Sequence, residues 1–368
     1  MSSTERPSVR NPFIFPVALA LLALAGCSAP PSARYGLDHA QATGDEPVEL
    51  IILSDADAGV EAGIAPSQGG ELSSLRFRRG TDWLETLYLG RDYTPRDDWT
   101  GKAPLLWPAT GRSFPPDLEE RRKAGEEFND GAWEWKGQRY PMPIHGFVRS
   151  LPWQVRSSEA GQRGARAELT FADTAATREM YPFGFELSAE YALVDGALSI
   201  NYEVLADVEN GDPMPFSIGN HITFVTPLVP GSDAGRVVLV TPSSEEILKT
   251  GYGIPTGEIR PRSHAEGIEL AGFERRAAVS LTGYDAGPFM ELRDPAGLTI
   301  RMSHAASEVP ESPIILYNLW GDAQDGFFSP EPWVGLQNSL VSGQGLIHLD
   351  PGGRFEWTIR IEITEHEP

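Results

Sequence analysis

Apolar residues occupy every second position over a long stretch in the middle of the chain. From Phe185 to Leu193 and from Leu198 to Val204, apolar side chains alternate with more polar ones on both sides of Asp195-Gly196. A period of two is that of a strand with one buried face, and Asp-Gly favours a two-residue hairpin turn. The pattern predicts a hairpin with one apolar face across both strands. The predicted facing pairs are Leu193 with Leu198, Tyr191 with Ile200, and Ala189 with Tyr202.

The same alternation returns near the C-terminus. It flanks the turn-forming run 294–297, Asp-Pro-Ala-Gly, and it runs through residues 355–363. The first segment predicts a hairpin and the second a terminal strand of the same core. The charged run 117–127 is compatible with a short solvated helix or with a mobile loop. No second linker, tandem repeat or composition break divides residues 47–368, so we predict one large antiparallel β sandwich there. In the second hairpin, Met290 and Leu292 are expected to meet Leu298, Ile300 and Met302.

Composition agrees with many short strands and excludes several classes of protein. Glycine and proline contribute 38 and 31 residues, which favours strands joined by turns over long helices. Acidic residues outnumber basic ones by 52 to 30, and the net charge of −22 argues against a nucleic acid partner. The sequence has no G-x-S-x-G elbow, H-E-x-x-H zinc pair, phosphate-binding P-loop or G-x-G-x-x-G opening a helix. Lipase, zincin, P-loop and Rossmann enzymes are therefore disfavoured.

The single cysteine, Cys27, follows a segment with the layout of a secretory signal. Arg6 and Arg10 precede the mostly apolar run 13–25, which is shorter than the roughly 20 residues of a transmembrane helix. Leu24-Ala25-Gly26-Cys27 resembles a bacterial lipobox, and this resemblance implies cleavage before Cys27 and lipidation of its side chain. The alternative is an ordinary signal peptide followed by a chance cysteine.

The N-terminal pattern also predicts where the protein works. We expect a lipoprotein signal peptide at residues 1–26 and a flexible tether at residues 27–46, which are rich in small polar residues and proline. Lipid chains on Cys27 would hold the folded domain at a membrane surface. The expected location is the cell envelope, on the periplasmic side. By resemblance to lipoprotein sorting, Ser28 favours the outer membrane where the cell has one.

Four polar residues lie within apolar sequence or beside turns and are candidates for chemistry. His145, in PIHGFVR, and His221, in GNHITF, lie within two residues of glycines that allow close approach of a ligand. Each suits a hydrogen-bonded core histidine as well. Glu331, in EPWVG, lies between two prolines in a rigid, partly apolar setting that suits a base or a structural turn. Arg112 ends the run PLLWPATGR and could bind ligand hydroxyls or pair with a surface carboxylate.

In this order, the four segments resemble motifs of the aldose 1-epimerase (galactose mutarotase) family. PLLWPATGR is similar to a Pro-Leu-Leu-Phe-Pro-like run ending in Asn-Arg, and HGFVR to an HGF-[AV]-R motif. GNHITF is similar to [GN]-x-H-x-x-F, and EPWVG to a late Glu-Pro-Trp-x-Gly motif. Residues 181–185, YPFGF, and 254–259, IPTGEI, add two more similar stretches. Together they span roughly residues 50 to 363.

The resemblance implies a fold, a reaction and a set of residue roles. The fold would be a large antiparallel β supersandwich, and the reaction the interconversion of α and β anomers of a free aldose, with no metal or redox cofactor. By motif, His221 would be the general acid that protonates the ring oxygen, and Glu331 the general base that takes the proton of the C1 hydroxyl. His145 and Arg112 would bind sugar hydroxyls. The implied partner is an aldose or the sugar end of a glycan.

Some positions depart from the family pattern. Gly111 stands where the family usually carries asparagine before the arginine, and Asp285 is a weak match for the family's sugar-binding aspartate. Trp107, Trp320 and Trp333 could stack on a sugar or pack in the core. Two other functions fit the same fold. One is a non-catalytic carbohydrate-binding envelope lipoprotein, and the other is a polysaccharide-active enzyme.

Overall fold

The structure is a computed structural model that describes residues 33–42, 47–90, 93, 99–115, 117–125, 131–307 and 315–367. The predicted signal peptide at 1–26 and the predicted lipidation site Cys27 lie outside these residues. So does half of the predicted tether, residues 27–32 and 43–46. Within the described part of the chain, no helix has both the length and the apolar character needed to cross a membrane.

Strands account for most of the described residues, and helices are few and short. The strands in chain order are β1 (Tyr35–Ala42), β2 (Val48–Asp55), β3 (Val60–Ala65), β4 (Glu71–Arg79), β5 (Asp82–Glu85), β6 (Leu105–Leu106), β7 (Ala132–Trp135), β8 (Gln138–Pro141), β9 (Gln154–Gly161), β10 (Gly164–Ala172), β11 (Phe185–Val194), β12 (Ala197–Ala206), β13 (Met214–Phe216), β14 (Ile218–Asn220), β15 (Phe224–Val225), β16 (Val238–Thr241), β17 (Glu245–Lys249), β18 (Pro255–Pro261), β19 (His264–Glu269), β20 (Val279–Thr282), β21 (Phe289–Asp294), β22 (Leu298–Ala306), β23 (Ile315–Asp322), β24 (Phe327–Val334), β25 (Ile347–Leu349) and β26 (Arg354–Glu365). The α-helices are α1 (Leu118–Lys123), α2 (Ala175–Arg178) and α3 (Ser339–Ser342), and short 3-10 turns lie at Val148–Ser150, Ala234–Arg236, Leu270–Gly272 and Ala323–Asp325.

Most of these strands belong to three antiparallel sheets. A nine-stranded sheet has the order β19-β16-β21-β22-β26-β12-β11-β10-β9. An eight-stranded sheet has the order β18-β17-β20-β23-β24-β14-β6, with β15 also paired to β24. Strands β1 to β5 form a five-stranded meander, and two small sheets pair β13 with β25 and β7 with β8. The predicted antiparallel all-β class is confirmed.

The three large sheets share one hydrophobic core. Leu53 of the five-stranded sheet, Tyr317 of the eight-stranded sheet and Trp357 of the nine-stranded sheet are all buried in the same cluster. The Tyr317 hydroxyl in β23 donates a hydrogen bond of 2.8 Å to the carbonyl oxygen of Met302 in β22. A buried tyrosine needs such a partner, and this one joins the inner faces of the two largest sheets. The architecture is the predicted large β sandwich.

The first predicted hairpin has the predicted register. In β11 and β12, Leu193 lies opposite Leu198, Tyr191 opposite Ile200, and Ala189 opposite Tyr202. Asp195 and Gly196 have φ angles of 50° and 73°, the left-handed values that a two-residue hairpin turn requires. Local turn chemistry therefore accounts for this register without any distant contact.

The other sequence-based elements are present as well. Strands β21 and β22 form the second hairpin, with Met290 opposite Met302 and Leu292 opposite Ile300. The terminal strand β26 lies between β12 and β22 in the middle of the nine-stranded sheet. The charged run 117–127 contains α1, so its helical alternative is correct for Leu118–Lys123.

The prediction of a flexible tether over 27–46 is wrong for residues 35–42. This segment forms β1 and pairs along its whole length with β2, from Tyr35 opposite Asp55 to Ala42 opposite Val48. Backbone pairing does not require an apolar period, and β1 is an edge strand with several exposed side chains. Arg34 adds a two-pronged ion pair to the buried carboxylate of Asp55, with both N···O distances 3.0 Å. The folded domain therefore includes residues that the sequence pattern assigned to a linker.

Candidate active site

Arg112, His145, His221 and Glu331 line one cavity of about 900 Å³. They come from four separate parts of the chain. His221 directly follows β14, Glu331 lies within β24, and Arg112 and His145 lie in the connections after β6 and β8. The sequence places the closest two of these candidates, Arg112 and His145, 33 residues apart. The fold therefore brings together all four residues that the motifs single out.

A gap in the eight-stranded sheet places His221 beside Glu331. Strand β24 pairs with β15 at Phe327 and Phe328, and with β14 at Trp333 and Val334. Between these two pairings, residues 221–223 leave the sheet, and the middle of β24 has only β23 as a neighbour. Pro330 and Pro332 suit this stretch because proline has no N–H to donate to a second strand. The Glu331 side chain lies on the same face of the sheet as that of Asn318, and both line the cavity.

Two hydrogen-bond donors hold the Glu331 carboxylate. The side-chain nitrogen of Asn318, in the neighbouring strand β23, donates to Oε1 at 3.2 Å, and the indole Nε1 of Trp333 donates to Oε2 at 3.1 Å. Only 1 % of Glu331 is exposed. Both oxygens thus receive a donor in a site with little water, which fixes the direction of the carboxylate and leaves it able to accept a further proton.

His221 and Glu331 form a close, buried acid–base pair. His221 Nε2 lies 3.6 Å from Glu331 Oε1. Burial raises the pKa of Glu331 to about 8, although the hydrogen bond from Asn318, the charge of Lys249 and the hydrogen bond from Trp333 each lower it. Burial likewise lowers the pKa of His221 to about 4. Burial thus favours the neutral form of both side chains, and between these two values we expect the pair to hold one transferable proton.

The second histidine is held in one tautomer by the loop that precedes Arg112. His145 Nδ1 accepts the backbone N–H of Gly111 at 3.0 Å, and the His145 N–H donates to the Gly111 carbonyl at 2.7 Å. Because Nδ1 is an acceptor, the ring proton lies on Nε2. Burial and the charges of His221, Arg149 and Arg112 hold the pKa of His145 well below its usual range. Nε2 of His145 is therefore a neutral hydrogen-bond donor. The centroids of the His145 and His221 rings are 5.3 Å apart.

Gly146, next to His145, allows the backbone of this loop to pass close to the backbone of Trp107. Its φ is 73°, and a Cβ placed on it would lie 1.9 Å from the carbonyl oxygen of Trp107. We expect Gly146→Ala to lower the free energy of unfolding by about 2–4 kcal/mol, because both backbones must move. Gly137→Ala is the matched control, since Gly137 has a φ of 76° and nothing within 4 Å of its Cβ position. Denaturant titration of both variants checks the prediction, and equal losses in the two would contradict it.

The remaining residues that the sequence singled out differ in whether they line the cavity. Arg112 is exposed at the cavity, whereas Trp107 is fully buried in the core and packs 4.3 Å in ring separation from Phe185. Trp320 and Trp333 line the cavity, and the Trp320 ring meets His221 edge-on at 5.6 Å. Asp285 is exposed and is absent from the described lining of the cavity, so the weak match to a sugar-binding aspartate finds no support.

Sequence reasoning missed two residues that lie next to Glu331. Asn318 binds its carboxylate, and Lys249, at the end of β17, binds Asn318 and lines the same cavity. Asn318 had a detectable signal, because it is the one amide in the apolar run ILYNLW. Lys249 had none, since a lysine at the end of a strand is ordinary. No group of three or more His, Cys, Asp or Glu side chains in the described ranges is arranged to hold a metal ion.

A sequence model of the aldose 1-epimerase family matches residues 51–270. The chain belongs to this family. The match contains Arg112, His145 and His221, and Glu331 lies beyond its end. The family assignment and the antiparallel sandwich agree with each other, and they support a sugar epimerase-like function for this aldose 1-epimerase family member.

Individual relatives are distant. Chromosomal LacX protein from Lactococcus lactis subsp. lactis is 26% identical over 280 residues, which cover 75% of this chain and 85% of that protein. A galactose mutarotase-like protein from Clostridium acetobutylicum superposes with a TM-score of 0.68 at 18% identity, over 90% of this chain and 99% of that one. Galactose 1-epimerase from Lactobacillus acidophilus superposes with a TM-score of 0.63 at 15% identity, over 91% of this chain and 100% of that one. At these identities the structural likeness shows the fold alone.

Proposed function

We propose that this family member interconverts the α and β anomers of an aldose by acid–base catalysed opening and closing of the sugar ring. The observation that carries the proposal is the 3.6 Å distance between His221 Nε2 and Glu331 Oε1 in the cavity. The ring oxygen O5 and the hydroxyl oxygen O1 of an aldose are bonded to the same carbon, C1. Two catalytic groups that serve them must therefore lie close together, as His221 and Glu331 do.

The proton transfers balance with this pair alone. In ring opening, protonated His221 gives its proton to O5 while ionised Glu331 takes the proton of the O1 hydroxyl. The C1–O5 bond breaks and the C1–O1 double bond forms. After rotation about C1–C2, protonated Glu331 returns a proton to O1 and neutral His221 takes the proton of the O5 hydroxyl, which closes the ring on the other face. Such acid–base assistance contributes about 10²- to 10⁴-fold in rate.

The protonation state that burial favours lies on this cycle. Burial favours neutral His221 and protonated Glu331, which is the state that the opening step leaves behind. It is ready to close an open-chain aldose. Transfer of the proton within the pair regenerates the form that opens a ring, so a single proton serves both directions.

The other two candidates suit substrate binding. The Nε2 proton of His145 points away from the Gly111 contact and can donate to a sugar hydroxyl, and Arg112 offers several donors at the exposed part of the cavity. A cavity of about 900 Å³ lies near the top of the size range for drug-sized ligands, so it has room for a hexose and for a sugar attached to one.

Parallel measurements of binding and turnover test the proposal. Polarimetry of freshly dissolved α-anomers should show a first-order approach to equilibrium that accelerates in proportion to the protein concentration. Calorimetry on the equilibrated sugar measures binding alone. Binding of an aldose with a polarimetric rate equal to the buffer blank would favour the carbohydrate-binding lipoprotein instead. Release of reducing ends from a polysaccharide would favour the third candidate.

We also propose that the chain is exported and tethered to the cell envelope through lipids on Cys27. The support is the lipobox-like run 24–27 and the apolar segment before it. Expressed in a bacterium, the wild-type chain should fractionate with membranes, and Cys27→Ser should move it to the soluble fraction, because the lipid chains supply the membrane affinity. Mass spectrometry of the N-terminal peptide checks the modification. An unmodified Cys27, or a chain cleaved at another position, would refute the anchor.

A further inference from the structure

Lys249 lies in the cavity wall, and one side chain, Asn318, connects it to the proposed base Glu331. Its Nζ donates hydrogen bonds of 3.0 Å to the side-chain oxygen of Asn318 and 3.0 Å to the hydroxyl of Ser280. Asn318 in turn donates from Nδ2 to Glu331 Oε1 at 3.2 Å. Strands β17, β20, β23 and β24 are consecutive neighbours in the eight-stranded sheet, so these four side chains form a line across it.

The direction of the Asn318 amide depends on this line. Its oxygen Oδ1 accepts from Lys249 and from the Ser280 hydroxyl, both at 3.0 Å. An amide has an acceptor end and a donor end, so fixing Oδ1 toward two donors turns the NH₂ group toward Glu331. Without these donors the amide can rotate and present its oxygen to Glu331, which repels a carboxylate and suits a protonated carboxyl instead.

Two carboxylates, Glu331 and Glu246, act on the charge of Lys249, and Glu246 has arginine partners of its own. Glu246, on the same strand as Lys249, is already paired with Arg260 and Arg262, both at 2.7 Å. The groups that face Glu331 are His221 from the segment after β14, Asn318 from β23, Lys249 from β17 and Trp333 from its own strand. Among these groups, Lys249 is the one whose side chain type, by its ordinary pKa in water, is positively charged at neutral pH. Burial lowers the pKa of Lys249 to about 8, and the charges of Glu331 and Glu246 act against this shift.

We propose that Lys249 is a positioning residue that acts through Asn318 to keep Glu331 available as an ionised base. This inference rests on the proposed function, because it assigns Lys249 a part in the same proton transfer. It also explains how a carboxylate that is 1 % exposed can give up its proton at all. The cation and the oriented amide offset part of the desolvation that otherwise keeps the proton on the carboxyl.

The protonation of Glu331 can be measured without any turnover. The carboxyl band that disappears from the infrared spectrum in Glu331→Gln identifies the protonated Glu331 side chain, and its pH titration gives a midpoint. In Lys249→Met we expect this midpoint to rise by about one pH unit. The share of the singly protonated pair that carries its proton on His221, with Glu331 ionised, then also falls roughly tenfold, and kcat for anomer exchange should fall about tenfold with KM nearly unchanged. Lys249→Arg, which keeps the charge, should recover part of the rate.

Controls separate this inference from general damage and from failure of the proposed function. Lys136→Met removes an exposed lysine that pairs with Asp212 at 2.5 Å, and it should change neither midpoint nor rate. Lys249→Gln replaces Lys249→Met if the latter does not fold. A midpoint that stays in place in the folded variant overturns the role of Lys249. A midpoint that moves in a protein without anomer exchange upholds the coupling of Lys249 to Glu331 and rejects the proposed function instead.

Discussion

Glu331→Gln is expected to lower the rate of anomer exchange by about 10²- to 10⁴-fold. Glutamine keeps the size of the side chain but cannot take the proton of the O1 hydroxyl. Binding of the sugar should change little, because His145 and Arg112 are untouched. Glu291→Gln is the matched control. Glu291 also lies on a β-strand and is paired with Arg293 and Arg301, but it is not among the residues that line the cavity.

The same variant should be more stable than the wild type at alkaline pH. The pKa of Glu331 is raised in the folded state from 4.5 to about 8, so stability is lost as the pH rises through this window. Removing the carboxyl removes that loss, which is on the order of a few kcal/mol before the poorer hydrogen bonds of glutamine are counted. For Glu291, burial raises the pKa but the hydrogen bonds from Arg293 and Arg301 lower it overall, so Glu291→Gln should destabilise at neutral pH.

Thermal unfolding of both variants from pH 5 to pH 9 checks the signs. The Glu331→Gln curve should rise relative to the wild type as the pH increases. An unchanged rate of anomer exchange in Glu331→Gln would remove Glu331 from the mechanism. A fall in its relative stability with rising pH would show that the carboxylate is stabilising in the folded protein, against the burial argument.

The rate of anomer exchange should follow a bell-shaped pH profile with limbs near pH 4 and pH 8. Below about 4 both members of the pair are protonated and no base remains, because His221 has its pKa near 4. Above about 8 neither member carries a transferable proton, because Glu331 has its pKa near 8. The rate should fall about tenfold for each further pH unit outside this window.

Rates of anomer exchange measured from pH 3 to pH 10, after subtraction of the buffer rate at each pH, test this profile. His221→Gln should remove the acid limb together with most of the activity, because it removes the group that titrates there. His39→Gln is a suitable control, since His39 is an exposed histidine on β1, far along the chain from the site. A single limb near the ordinary histidine pKa of about 6.5 would contradict a buried, shared proton.

Local chemistry determined those parts of the fold that the sequence predicts well. The β11–β12 register follows from the alternation of apolar residues and from the Asp195-Gly196 turn, and both act within 20 residues. Strand β1 was assigned to a tether, because an edge strand held by backbone pairing and by the Arg34–Asp55 ion pair needs no apolar period. Long-range contacts of this kind leave no local signal.

The site shows the same division. Motifs that resemble a known family single out His221 and Glu331. Without the motifs, a histidine and a glutamate in these positions could equally have structural roles. Their contact depends on the gap between β14 and β15. The link from Lys249 to Glu331 depends on the order of four strands, of which β17, β20 and the β23–β24 pair are well separated in the chain. Neither arrangement can be deduced from periodicity, because strand order in a large antiparallel sheet is set by the packing of the whole core.

The His221–Glu331 pair is expected to exchange sugar anomers. NMR exchange spectroscopy on aldoses labelled with ¹³C at C1 measures this directly, because the α and β anomers give separate C1 signals. For at least one aldose or aldose-ended disaccharide, we predict cross-peaks between the two signals that grow with protein concentration and disappear in the His221→Gln, Glu331→Gln double variant. Exchange rates equal to those of buffer for every sugar that binds, or equal rates for the wild type and the double variant, would contradict the account.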